Sequence, residues 1–208
     1  IINIISSLLN SNHAYESNGS VYFDVSSFDS YGELSKPNLD GEFFLDTSEE
    51  PSEKKHPYDF ALWKAGQVSP ESISKYRDPN LPPIDIPSGD VWESPWGSGR
   101  PGWHIECSSI IKTYLGETID IHLGGNDLIF PHHENEIAQS NCAHDGEPLS
   151  KYWIHNGFIS MNKEKMSKSV GNIILVNDIL KNYTGEAIRL AMLTTHYKQP
   201  LDWSENIL

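Results

Sequence analysis

Cys107 is followed 25 residues later by His132, with His133 and Glu136 just beyond it. A helix starting at Pro131, a residue suited to a first helical turn, puts His132 and Glu136 at i and i+4. Their Cβ atoms are then about 6 Å apart on one face. His133 and Glu136, at i and i+3, would serve nearly as well. A thiolate, an imidazole and a carboxylate all bind zinc, and three protein ligands leave a tetrahedral ion one open position. That position suits catalysis, a substrate atom or a fourth ligand from elsewhere. The competing reading is a buried thiol beside a helix-capping His–Glu pair. The second cysteine, Cys142, lies six residues past Glu136, off the face that i+3, i+4 or i+7 would share, and reads as a packed thiol.

A different chemistry is suggested by Lys163-Glu164-Lys165-Met166-Ser167-Lys168-Ser169, followed by Val170-Gly171-Asn172. Two lysines three apart, with hydroxyls among them and a glycine after, suit a loop that grips phosphates. Their ammonium groups can neutralise charge on a transferring phosphate or a pyrophosphate leaving group. The surroundings sharpen this reading. The chain carries 15 Lys and Arg against 29 Asp and Glu, a net charge of −14. Residues 151–198 nevertheless hold 7 basic and 3 acidic residues, so polyanion contact is expected there.

The elements that must position these groups can be read from periodicity. Ile1 to Asn12 has apolar residues at 1, 2, 4, 5, 8 and 9, an amphipathic helix. Val21 to Val25 reads as a strand after the turn signal Ser17-Asn18-Gly19-Ser20. Residues 69–89 are rich in Ser and Pro, and Leu81 to Pro87 reads as an extended surface loop. Ile105 to Leu115 reads as a helix, Thr118 to Leu123 as a buried strand closed by Gly124-Gly125, and Trp153 to Met161 as a second strand. This alternation predicts an α/β fold with a parallel sheet and crossover helices. Ligands in such folds bind beyond the carboxyl ends of the strands, where Gly124-Gly125 and Asn156-Gly157 lie. No run of about 18 apolar residues could span a membrane. Two cysteines exclude a disulfide scaffold and fit a reducing, cytoplasmic setting. A chain of 208 residues that opens in Ile1-Ile2-Asn3-Ile4-Ile5 without Met is expected to be a piece of a longer protein.

Lys165-Met166-Ser167-Lys168-Ser169 matches the KMSKS signature of class I aminoacyl-tRNA synthetases letter for letter. Gly99-Arg100-Pro101-Gly102-Trp103-His104-Ile105-Glu106-Cys107-Ser108, Phe130 to Gln139 (FPHHENEIAQ) and Asp59-Phe60-Ala61-Leu62-Trp63-Lys64 narrow the match. In these segments the chain resembles the cysteinyl-tRNA synthetase family, and the resemblance runs through essentially its whole length. It implies a Rossmann-type class I catalytic core. Residues 1–98 would be the end of the first Rossmann half plus the connective insertion. Residues 99–174 would be the second half with the zinc site and lysine loop, and 175–208 the start of the stem-contact fold. The family's zinc is held by two Cys, a His and a Glu, three of which fall on Cys107, His132 and Glu136. The fourth ligand and the HIGH signature have no match in the chain. The chain also has His122-Leu123-Gly124-Gly125 where the family commonly shows His-Gly-Gly-Gly.

The resemblance further implies ATP-dependent activation of L-cysteine, with Mg2+ accompanying ATP, followed by transfer to tRNA(Cys). One zinc ion per chain would select the thiolate over a serine hydroxyl, a distinction an apolar pocket makes only weakly. Trp103 and His132 would border the cysteine. Gly124, Gly125 and Asp127 would form the ribose and adenine platform, though Asp127 also suits a helix N-cap. His155 and Gly157 would line the adenine side, and Lys168, helped by Lys165, would contact the phosphates. A monomer without membrane contact is expected, and the 208 residues alone are expected to be inactive. Two alternatives stay open: a cysteine ligase with an amino-sugar acceptor, and a zinc-binding interaction module without activity.

Overall fold

The computed structural model describes residues 1–36, 53–66, 92–161, 163–166, 171–204 and 207. The loop expected over 81–87 and the residues Ser167, Lys168 and Ser169 lie outside them. The chain divides into two compact units, one of Ile1–Asp120 with Phe130–Lys151, the other of Ile121–Ile129 with Tyr152–Leu208.

In the first unit, helix α1 (Ile2–Asn10) precedes a hairpin of β1 (Ala14–Ser17) and β2 (Ser20–Phe23). The turn residues Asn18 and Gly19 have φ of 50° and 80°. Two-residue hairpins require such positive values, and Asn-Gly is the pair that supplies them most cheaply. Strands β3 (Phe60–Ala65) and β4 (Gly99–Pro101) complete an antiparallel sheet in the order β1-β2-β3-β4. Helix α2 (Trp103–Tyr114) and helix α3 (Glu134–Ala143) follow, and α3 packs on both α1 and α2. Ile4, Ile5 and Leu8 recur at helical spacing on α1. They meet Val21, Phe23, Phe60, Leu62 and Trp63 of the sheet, with Ile105 of α2 and Ala138 of α3. Asp59, only 1% exposed, ties this sheet to its surroundings. It accepts hydrogen bonds from the Tyr15 hydroxyl (2.7 Å) and from the backbone N–H groups of His56 (2.9 Å) and Val25 (3.0 Å). A buried carboxylate is tolerated because each oxygen is satisfied.

Strands β5 (Ile119–Gly125) and β6 (Ser150–Asn156) pair with each other. In the second unit, β7 (Ile159–Met161) lies between β8 (Glu164–Lys165), which runs antiparallel, and β9 (Leu201–Trp203), which runs parallel. Helices α4 (Val176–Ile179) and α5 (Gly185–Met192) connect β8 to β9. Ile188, Ala191, Leu201 and Trp203 form its core, against Ile159, Met161, Ile174 and Ile179.

Three expectations need correction. The strand through 118–123 is not buried: Ile121 and Leu123 are 51% and 58% exposed. Among the described residues its only partner strand is β6, which covers no face of it. Its glycines also belong to the strand rather than closing it. The helix expected from Pro131 begins at Glu134, because Phe130 is extended (φ −134°, ψ 136°) and interrupts the wide turn Ile129–His133. The strand expected over 153–161 is two strands, since the chain leaves β6 at Gly157 and enters a different sheet as β7.

Candidate active site

Cys107 sits one turn into α2, His132 in the turn before α3, and Glu136 in the first turn of α3. The late start of α3 does not separate the last two: Nε2 of His132 lies 2.6 Å from Oε1 of Glu136. One ligand atom from each of Cys107, His132 and Glu136 lies within 4.8 Å of the others. His132 and Glu136 are buried and Cys107 half-buried. Burial pushes the Cys107 thiol up to about 11, and the charge and hydrogen bonding of Glu136 push in the same direction. A cation reverses that balance, because coordination deprotonates a thiol outright. A soft sulfur, an imidazole and a carboxylate converging in a largely buried cluster therefore fit a zinc ion.

A residue singled out only as part of a longer motif stands behind this cluster. His104, buried at the start of α2, has Nδ1 2.9 Å from Nδ1 of His132. One ring donates and the other accepts, which leaves Nε2 of His132 facing Glu136. The His104 carbonyl in turn accepts from Nε2 of Gln139 (2.6 Å), which also donates to the Ser108 hydroxyl (2.7 Å). Between the histidines and Glu136, the buried Glu134 accepts from the backbone N–H groups of Gly32 (2.9 Å) and Ser35 (2.8 Å). The Tyr31 hydroxyl donates to Oδ1 of Asn135 (2.5 Å). The turn before α3 is thus held from both sides. Periodicity could not show this, since these partners lie about a hundred positions away in the chain.

Trp103 is 56% exposed, so it is not a core indole. Its ring centroid lies 4.5 Å from that of His132 and 5.0 Å from that of His104. Gly102 explains how it is presented. A Cβ there would run into the Ala61 carbonyl, so α2 starts pressed against β3, with the Gly102 N–H donating to the Leu62 carbonyl (2.9 Å). Gly102→Ala is expected to destabilise the chain by about 2–3 kcal/mol, the cost of overpacking against backbone that cannot yield. A urea midpoint equal to that of the unaltered chain would contradict this.

The other expected residues lie in the second unit. Gly124 and Gly125 end β5. Asp127 follows in a short turn, its carboxylate filling the space that a Cβ on Gly125 would need. It does not cap α3, whose N-cap is His133. His155 stacks on Trp153, which also meets His122. Burial, then the neighbouring His122, lowers the pKa of His155. Gly157 is pressed against Gln199 and Pro200 of the chain's own tail. Lys165 ends β8, while Lys168 lies outside the described residues. Cys142 packs half-buried against the main core, and burial pushes its thiol up to about 11.

A helix between paired strands, a lysine loop after a strand and a clustered Cys, His and Glu define a class of protein that comparison with known families identifies. The profile described as "tRNA synthetases class I (C) catalytic domain" matches residues 1–208, and the chain belongs to that family. The cysteine–tRNA ligase of Maricaulis maris is 50% identical over 208 residues, covering 100% of this chain and 41% of that protein. The cysteine–tRNA ligase of Wolbachia pipientis subsp. Culex pipiens is 50% identical over 209 residues, covering 100% and 42%. The chain thus spans about two fifths of the length of these relatives. A solved structure of a putative arginyl-tRNA synthetase from Campylobacter jejuni matches with a TM-score of 0.50 at 14% identity, covering 96% of this chain and 32% of that one. That likeness concerns the fold alone.

Proposed function

We propose that the protein carrying this chain activates L-cysteine with ATP and transfers it to tRNA(Cys) in the cytoplasm, using zinc to select the thiol. The observation that supports this most is the convergence of Cys107, His132 and Glu136 in one cluster beside Trp103, in a chain whose relatives are named cysteine–tRNA ligases.

These three residues would hold the ion. When bound, zinc supplies a soft Lewis acid that favours a cysteine thiolate over a serine hydroxyl. The chain's own groups do the rest. With Nε2 of His132 given to a metal, its proton sits on Nδ1 and is donated to His104, which fixes the ring's orientation. The indole of Trp103 offers an apolar wall to the cysteine side chain. Gly124, Gly125 and Asp127 suit ribose and adenine, with His155 and Gly157 on the adenine side. Cysteine's carboxylate oxygen attacks the α-phosphorus and the bond to pyrophosphate breaks. Lys165 and Lys168 neutralise the charge that leaves, a task that Mg2+ bound with ATP would share.

The test is ATP–pyrophosphate exchange by the full-length gene product that carries this chain. Exchange that depends on cysteine, is not supported by serine and is followed by charging of tRNA(Cys) is the expected result. Exchange driven equally by serine, or none with cysteine, would overturn the reading.

A further inference from the structure

The hairpin that leads into the lysine loop is built against residue preference. Ser160 lies opposite Lys165 and Met161 opposite Glu164, so the connection between β7 and β8 is two residues long and Lys163 is its second residue. Connections of that length use mirror-image turns with positive φ, where glycine and asparagine are usual. Lys163 has φ 66°, a left-handed conformation in which its Cβ crowds the following carbonyl.

The compensating contacts come from the tail of the chain. Oδ1 of Asp202 accepts the Lys163 backbone N–H (2.9 Å) and the Ser160 hydroxyl (2.8 Å). Asp202 lies directly opposite Ser160 in the parallel pair of β7 and β9, so one carboxylate bridges the strand and the turn beyond it. These bonds, the Lys163 N–H first, draw its pKa below the usual carboxylate value and favour the ionised acceptor. The same tail holds the other end of β7. The Gly157 N–H donates to the Tyr197 carbonyl (2.8 Å), and the Leu201 N–H to the Phe158 carbonyl (2.9 Å).

We propose that Asp202 is a positioning residue for the lysine loop: by holding Lys163 in its left-handed conformation, it fixes the register of β8 and hence the point from which the segment of Lys165 and Lys168 departs. A one-residue slip of β8 would invert the faces of all its positions. The tail thereby sets the geometry of the hairpin that precedes the segment assigned to phosphate contact, an assignment that rests on the function proposed above.

The test compares Asp202→Ala, Asp202→Asn and the double variant Asp202→Ala with Lys163→Gly, in the full-length gene product. Asparagine keeps an acceptor oxygen. Glycine takes positive φ without steric cost, so it makes the carboxylate dispensable only if holding that conformation is what the carboxylate does. Asp202→Ala is expected to lower kcat for ATP–pyrophosphate exchange about tenfold, as misplacement of a reacting contact does, with KM for cysteine and zinc content unchanged. Both other variants should recover to within about twofold of the unaltered rate. Independently of activity, Asp202→Ala should speed trypsin cleavage after Lys165 and Lys168, and Lys163→Gly should reverse this. Unaltered rates and cleavage in Asp202→Ala, or a loss that Lys163→Gly does not repair, would overturn the proposal. No exchange by the unaltered protein would refute the proposed function instead, and the cleavage pattern would still decide the role of Asp202.

Discussion

His132→Ala in the full-length gene product is expected to lose most of its zinc and about a hundredfold of its preference for cysteine over serine. Of the three donors that converge, His132 is the one whose orientation is fixed twice, by Glu136 at Nε2 and by His104 at Nδ1. Removing the ring deletes a ligand and also leaves two buried polar groups, the Glu136 carboxylate and the His104 imidazole, facing a space no apolar side chain can satisfy. The size of the selectivity loss follows from what remains. A pocket that recognises a group through one strong polar bond rejects an analogue by roughly 10⁴-fold or more, whereas shape alone gives about 10² between near-isosteres. Metal analysis and the ratio of kcat/KM values for the two amino acids read the two effects separately. His133→Ala is the control: His133 also brings a ligand atom within 4.8 Å of Glu136, but the sulfur donor Cys107 groups with His132, so this variant should keep the zinc. Full zinc and full selectivity in His132→Ala, or loss of zinc only in His133→Ala, would refute the assignment.

That control also marks where the sequence stopped being informative. Spacing alone left His132 and His133 equivalent, because both stand within one helical turn of Glu136. In the structure both rings bring a ligand atom within 4.8 Å of Glu136, and His132 is the one that also groups with Cys107. His132 and Glu136 still meet despite a helix start misplaced by three residues, because the wide turn that holds His132 runs directly into α3. Local signals served well elsewhere. The apolar spacing of α1 and the Asn18-Gly19 turn depend on neighbours in the chain, and both appear where periodicity put them. What could not be read depends on distant segments. His104 meets His132 across 28 positions. The division of β6 from β7 has its cause at Gln199 and Pro200, against which Gly157 packs without room for a side chain. The exposure of β5 is not legible in the sequence for a related reason. Its alternating isoleucine, histidine and leucine describe a strand suited to burial, but burial is decided by what lies against it.

Lys168→Ala is expected to slow cysteine-dependent ATP–pyrophosphate exchange by about 10²-fold or more, with KM for ATP changed far less than kcat. In a chain of net −14, residues 151–198 are a basic exception, and phosphates would otherwise meet acidic surroundings. Charge on the bridging oxygen grows as pyrophosphate departs. An ammonium placed at that oxygen therefore stabilises the transition state more than bound ATP, and its removal shows in kcat. A hundredfold effect corresponds to about 2.7 kcal/mol, within the range for deleting one such contact from a water-excluded site. Lys168→Arg keeps the charge but exchanges a compact ammonium for a broad planar group, so it should recover part of the rate and not all of it. Lys165→Ala should cost less than Lys168→Ala, since Lys165 lies within the hairpin at β8 and Lys168 comes three residues later in the sequence. An unchanged exchange rate in Lys168→Ala, or a defect confined to KM for ATP, would show that this lysine binds the nucleotide without serving the chemical step.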